Sequence, residues 1–323
     1  MSPDVAMQVA HGDDMVLPFQ IDAHALRGRL VRLGGTIDAI LNRHDYPEPV
    51  AMLLGEALVL AAALAATLKY DGVFTLQTKG DGPVSMMVAD VTTEGALRGY
   101  AQVDRAKLGT ALASATRGAP EAGLDGPVPR LLGAGYLAFT VDQGPETERY
   151  QGIVELTGAT LADCIHHYFR QSEQFQAAIN LAVGRVADDD AGAQRWRAGA
   201  LMIQRLPDPR GAEAEEREEA WRSAMALMAS GTRRELLDPA LLPDRLLYRL
   251  FHEDGVRVYR SRELSDSCRC SRQRVTGMLR GLPMSELEDL KIDGELVVTC
   301  EFCNRRYGFG EDDLAGLHAP GAT

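Results

Sequence analysis

The chain has 323 residues, 46% of them apolar and 25% charged, enough to bury a sizeable core in two or three structural units. A formal net charge of −12 argues against broad nucleic-acid binding, which needs clustered basic surface. The N-terminus lacks the basic and apolar regions of a signal peptide. That points to a reducing, cytoplasmic setting, in which the five cysteines should form no permanent disulfides and a clustered set of them points to metal or redox chemistry.

Residues 1–16 are polar and acidic and read as an extension to which no function is assigned. Residues 25–33 read as a strand ending at Gly34-Gly35, and 36–41 and 48–68 have helical composition. The run 50–67 is the most apolar of the chain, but Gly55, Glu56 and its many alanines favour a buried helix over a membrane span. Residues 72–78 alternate apolar and polar, the period of a half-buried strand. After the turn Gly80-Asp81-Gly82-Pro83, strands are expected at 84–89 and 96–103, hinged at Thr93-Glu94-Gly95. An antiparallel pair is expected at 136–141 and 151–156, a helix at 160–181, an acidic loop at 184–193 and a short apolar stretch at 199–206.

Composition shifts at Pro207–Pro209. Residues 212–230 have a charged first half and an apolar second half, in which Trp221, Ala224, Met225 and Met228 share one helical face. A Leu-rich helical pattern continues through 234–237 and 241–251, with Pro239 and Pro243 expected to interrupt it. This segment has too little apolar surface for a core of its own and must lie on something else or fold conditionally. The chain thus reads as α+β: an N-terminal mixed α/β domain with an antiparallel sheet (17–205), a helical, metastable linker (206–255), a small C-terminal four-cysteine zinc domain (256–317) and a tail (318–323). The strand order is not derivable from the pattern.

The C-terminal motif is Cys268-Arg269-Cys270, then 29 residues, then Cys300-Glu301-Phe302-Cys303. Two short-spaced pairs can each present two thiolates from one tight turn, and four such donors suit a closed tetrahedral zinc site with Zn–S bonds of about 2.3 Å. Asn304 follows the second pair, and Asn tolerates the left-handed backbone that such a turn often needs. Tyr307 and Phe309 are placed to pack over the site and keep it dry. A one-residue spacer in the first pair departs from the two-residue spacers of ordinary zinc ribbons. Zinc would hold the sulfurs as thiolates roughly 3.8 Å apart, the form that oxidants attack. Disulfide formation would eject the metal, and a unit of about sixty residues usually needs such a staple to fold.

The runs CRCS (268–271) and CEFCNRRYGF (300–309) resemble the 33 kDa chaperonin family, the redox-regulated heat shock protein 33. So do LLYRLFHE (246–253), YQGIVELTG (150–158), SEQ (172–174), ALMIQRLP (200–207), GDGPV (80–84) and ALRGYA (96–101), and the likeness spans about 17–314. The resemblance implies an ATP-independent holdase of the bacterial cytoplasm, not an enzyme, with one zinc per chain on Cys268, Cys270, Cys300 and Cys303 in an inactive reduced form. It implies activation by hypochlorite, or by peroxide with heat, through near-neighbour disulfides Cys268–Cys270 and Cys300–Cys303. Linker unfolding, homodimer formation and capture of unfolding clients by the N-terminal core follow, with hand-over to ATP-dependent chaperones. It implies no nucleic-acid and no membrane partner.

The remaining features read more plainly. Cys164 on a helix is expected to be a small buried apolar group, and adjacent His166 and His167 point different ways with no partner acid. Gly80-Asp81-Gly82 lacks the Lys and Ser/Thr of a phosphate loop. Met86-Met87 and Met225/Met228 are expected mainly in the core, and Glu213–Glu219 on a solvated helical face. Arg269, Arg272, Arg274, Arg305 and Arg306 flank the thiols and would favour thiolate. Two competing readings are a zinc-ribbon nucleic-acid-binding or regulatory protein, which the net charge and the single-residue spacer oppose, and an enzyme, for which no acid–base or nucleophile constellation is evident.

Overall fold

The computed structural model describes residues 12–24, 26–115, 126–144, 147–171, 176–187, 192–205 and 214–317. Readings placed on 1–11, 172–174, 188–191, 206–213 and 318–323 lie outside the described residues. The chain divides into two compact units, Met1–Asp266 and Ser267–Thr323. The helical segment therefore belongs with the first unit, and the boundary falls at 266/267 rather than at 255/256.

The first unit opens with β1 (Met15–Ile21), β2 (Leu26–Leu33), α1 (Gly35–Leu41) and α2 (Glu48–Ala65). There follow β3 (Val73–Gly80), β4 (Val84–Thr92), β5 (Ala96–Val103) and α3 (Arg105–Ala115). Then come β6 (Gly135–Asp142), β7 (Tyr150–Glu155), α4 (Leu161–Gln171), β8 (Ala177–Ala187) and β9 (Gln194–Arg205). Last are α5 (Ala214–Ala229), α6 (Arg233–Leu237), α7 (Pro243–Phe251) and the short strands β10 (Val256–Val258), β11 (Arg262–Glu263) and β12 (Ser265–Asp266). One sheet runs β10-β1-β2-β9-β8, with β11 also on β1, and the other runs β12-β5-β4-β3-β6-β7. Pairing is antiparallel except between β12 and β5. The expected pair at 136–141 and 151–156 is β6 with β7.

Helix α2 lies between the two sheets. It is apolar on nearly every side, and fourteen of its residues, from Val50 to Ala65, are buried. An all-round apolar helix has nowhere stable in water except such a position. Gly55 lets it approach β8, since a Cβ there would sit 2.6 Å from the Val183 side chain. The core joins α2 to Val31, Leu33, Leu76, Ala89, Leu137, Ala198 and Met202 from both sheets.

The other face of the first sheet carries Leu17, Phe19, Ile21, Leu30, Leu201 and Ile203. Helices α5–α7 cover it with Trp221, Ala224, Met228, Leu236, Leu246, Leu250 and Phe251, so the segment without a core of its own lies on this sheet, as its composition requires. Gly199 of β9 admits the backbone of α6, because a Cβ there would meet the Leu236 carbonyl oxygen at 2.5 Å. Thr232 and Glu235 form a capping box on α6, and Asn180 of β8 donates to the Met228 and Gly231 carbonyls at the end of α5.

Several expectations are corrected. The helix expected over 160–181 ends at Gln171, and 177–187 is strand β8, which also takes the first residues of the expected acidic loop. Strand β8 is covered on both faces, by α2 on one and by α6 on the other, so its sequence shows no alternation to mark it as a strand. The short apolar stretch is twelve-residue β9. Pro243 opens α7 rather than interrupting a helix, since Pro suits the first helical position. Strand β1 begins at Met15, inside the span read as an extension.

Glu56 of α2 is held between the sheets, and its Oε2 is buried with no hydrogen-bond partner among the described residues. Burial raises its carboxyl to about 7, more than Arg233 lowers it. A folded-state value above the unfolded one contributes stability that is complete below the unfolded value of 4.5 and is lost as pH rises through about 7. Glu56→Gln should abolish this loss. Denaturant unfolding of both proteins at about pH 5 and about pH 8 should show wild type losing up to about 3 kcal/mol relative to the variant.

Candidate metal centre

The second unit is built from α8 (Arg272–Leu279), α9 (Met284–Asp289), the hairpin β13 (Leu296–Thr299) and β14 (Arg306–Phe309), and α10 (Glu311–Leu317). Its buried apolar cluster is small: Leu279, Leu287, Leu296, Tyr307, Phe309 and Leu314. Cys268 and Cys270 immediately precede α8, whose N-cap Ser271 accepts a hydrogen bond from the Arg274 amide. Cys300 and Cys303 lie in the turn that joins β13 to β14, closed by Thr299 opposite Arg306. In that turn the Cys300 amide donates to the Arg305 carbonyl at 2.9 Å, and the Asn304 amide to the Cys300 carbonyl at 2.8 Å. Asn304 has φ 59°, the left-handed conformation expected of it.

All four sulfurs lie within 4.8 Å of one another, and this is a constellation that could hold one metal ion. Cys268 Sγ is 3.7 Å from Cys300 Sγ and Cys270 Sγ is 3.3 Å from Cys303 Sγ, close to the edge of a tetrahedral sulfur cage of about 3.8 Å. No cysteine is in a disulfide. The Tyr307 hydroxyl donates to Cys270 Sγ at 3.1 Å, so the ring that packs over the site also takes a polar role. Phe309 is buried beneath it, and the Arg272 guanidinium lies 4.4 Å above the Phe309 ring centroid while bonding the Gly308 carbonyl and Asp313.

The thiols do not ionise alike. Burial opposes a Cys270 thiolate, but hydrogen bonds from Tyr307 and the neighbouring thiols outweigh it and hold the group at about 7. Burial pushes Cys303 up to about 12 and raises Cys300 as well. Four negative sulfurs in so small a volume repel one another, so only a cation in their midst lets all of them ionise near neutral pH. The donor set therefore fits a soft divalent metal.

The other candidates fall into ordinary roles. Cys164 is buried, and burial raises its thiol to about 11, which removes it as a nucleophile. His166 Nε2 accepts from the Ile179 amide at 3.0 Å, and burial lowers its pKa, so the ring is a neutral structural acceptor. Met87 and Met228 are in the core, and Met86 accepts from Gln77. Glu215–Glu219 are exposed on α5. Of the flanking arginines, Arg272 and Arg274 brace the fold through carbonyls rather than forming a basic surface. The hydroxyl contact of Tyr307 was not legible in sequence. The only signal for it was an aromatic residue four positions beyond Cys303.

A model of the Hsp33 protein family matches residues 14–310. The 33 kDa chaperonin of Caulobacter vibrioides is 43% identical over 94% of this chain and 97% of its own length. That of Azotobacter vinelandii is 38% identical over 96% of each chain, and that of Pseudomonas fluorescens is 36% identical over 95% of this chain and 94% of its own. The crystal structure of the 33 kDa chaperonin from Thermotoga maritima superposes with a TM-score of 0.73 at 26% identity, over 95% of this chain and 98% of that one.

If the Tyr307 hydroxyl stabilises charge on the Cys270 sulfur, Tyr307→Phe in reduced, zinc-loaded protein should make that sulfur more nucleophilic and speed alkylation of Cys270 several-fold at about pH 7. Mass-spectrometric mapping of each labelled cysteine checks this. An unchanged rate at Cys270 rejects the role of the hydroxyl.

Proposed function

The chain belongs to the Hsp33 family, and on that premise we propose that it is a redox-regulated, ATP-independent holdase of the cytoplasm whose four-cysteine centre is the switch. The family match supports a chaperone function that binds unfolding proteins, and the relatives are named as chaperonins rather than as enzymes. The observation that carries the switch is the gathering of Cys268, Cys270, Cys300 and Cys303 sulfurs within 4.8 Å in a unit whose buried apolar cluster is six residues.

Four sulfur donors at tetrahedral spacing favour zinc, which when bound would hold the thiols as thiolates and cross-link the segment before α8 to the β13–β14 turn. The reduced form is the inactive one. A peroxide or hypochlorite takes two electrons from each pair of thiolates as a disulfide forms, and a disulfide sulfur is a poor metal ligand. Following the family's pattern, the pairs are Cys268–Cys270 and Cys300–Cys303. Without the staple, a unit of this size lacks the apolar burial to stay folded. Helices α5–α7 then loosen, and the protein dimerises and holds clients until they pass to ATP-dependent chaperones. The dependence of α5–α7 on the first sheet for their core supports this step.

Reduced and oxidised protein should differ in suppressing aggregation of a heat-unfolded client, with activity only after oxidation; equal activity in both states rejects the switch. Replacing any one of the four cysteines by Ser should lower zinc content and disturb this control. Peptide mapping of the oxidised protein should find the two near-neighbour disulfides. The Cys268–Cys300 and Cys270–Cys303 sulfur contacts cross between the pairs, so crossed linkages are the outcome that would overturn the assignment.

A further inference from the structure

Helix α6 has five residues and ends in carbonyls that no further helical turn can satisfy. Their partners come from the sheet beneath. Arg32 of β2 donates to the Leu241 carbonyl at 3.1 Å and to the Asp238 carbonyl, and Arg197 of β9 donates from Nε to the Leu237 carbonyl at 2.8 Å. Both guanidiniums pair with Asp13, Arg197 directly and Arg32 at 3.7 Å. The Arg32 side chain is 2% exposed and that of Asp13 is 29% exposed, so the assembly meets solvent on its Asp13 side.

Resting on the switch proposed above, we infer that Arg32, Arg197 and Asp13 form a charge lock that positions the α6–α7 connection on the first sheet, and that opening this lock is the step that frees α6 and α7. The arginines grip only the open ends of the segment. Asp13 is the carboxylate that pairs with both, while Asp238 adds negative charge near Arg32 and the carbonyls carry no net charge. The lock is marginal by construction. Arg32 Nε is buried without a partner among the described residues, and burial lowers the pKa of Arg32 despite Asp13 and Asp238. A pair whose guanidinium side is buried stabilises weakly while intact, but removing its carboxylate leaves a buried cation poorly compensated. Such an element changes state over a narrow range of added strain. The neighbouring Asp14 accepts at the start of α1 from the Gly34 and Thr36 amides, and its carbonyl accepts from the Leu264 amide. The segment that holds the lock is therefore also hydrogen-bonded to the chain just before the second unit.

The test uses full-length, reduced, zinc-loaded protein. Asp13→Asn removes the carboxylate shared by buried Arg32 and half-buried Arg197, and amide hydrogen exchange across α6 and α7 should rise about tenfold or more, in line with the loss of charged hydrogen bonds. Exchange in α2 and zinc content should stay at wild-type values. Asp45→Asn, at an exposed ion pair with Arg105, should leave α6–α7 exchange unchanged. In an Arg32→Met background, Asp13→Asn should have a smaller effect, because one of the stranded charges is gone. Wild-type exchange in Asp13→Asn, equal loosening of α2, or an undiminished effect in the Arg32→Met background would each overturn the lock. These comparisons are made without oxidant, so the lock can fail while the redox switch stands, and the reverse.

Discussion

The repulsion among four sulfurs held within 4.8 Å is the constraint on which the second unit depends. Each backbone turn that presents a pair is locally sound: Ser271 caps α8, and Asn304 supplies the left-handed residue between β13 and β14. What local structure cannot supply is a reason for the two turns to stay together. The six-residue apolar cluster beneath them is small for a unit of this size, and the thiols titrate apart, with Cys270 near neutrality and Cys303 far above it. A central cation turns that repulsion into attraction. Such a cation would be the main tertiary link of the unit and, under the proposed switch, its sensor as well.

The first unit handles its dependence differently. Its inner core, with α2 between two sheets, needs nothing further, but the opposite face of the first sheet would be a broad apolar surface if left bare. Helices α5–α7 cover it while having no core of their own, so cover and surface need each other. The contact is mostly side-chain burial, which has no direction. The direction comes from polar groups at the helix ends, Asn180 under α5 and Arg32 and Arg197 under α6. A cover held by burial along its length and by a few polar groups at the joints between its helices can detach as a body.

The two parts of the sequence that were hardest to read have a common cause. Residues 177–187 and the charged positions Asp13, Arg32 and Arg197 all depend on being covered from more than one side. Covered on both faces, β8 loses the alternation that marks a strand and, being rich in Ala, reads as a continuation of α4. Arg32 is one of three arginines in β2 and nothing in its local pattern marks it as covered, yet it is 1% exposed. By contrast β3, β6, β7 and α2 were legible, because an alternating run and an all-apolar run each state their environment directly.

By itself the sequence determined the four cysteines that cluster as candidate metal ligands, the left-handed Asn304, the buried α2, and the need of the 212–251 segment for a foreign surface. Each of these is set by chemistry within a few residues: donor spacing, backbone sterics, apolar composition. Only the tertiary structure decided the strand order, the surface on which α5–α7 lie, the hydroxyl of Tyr307 on Cys270, and the meeting of Asp13 with Arg32 and Arg197. Those pairings join residues far apart in the chain. Burial energy depends on area and not on identity, so many arrangements would have satisfied the same local pattern.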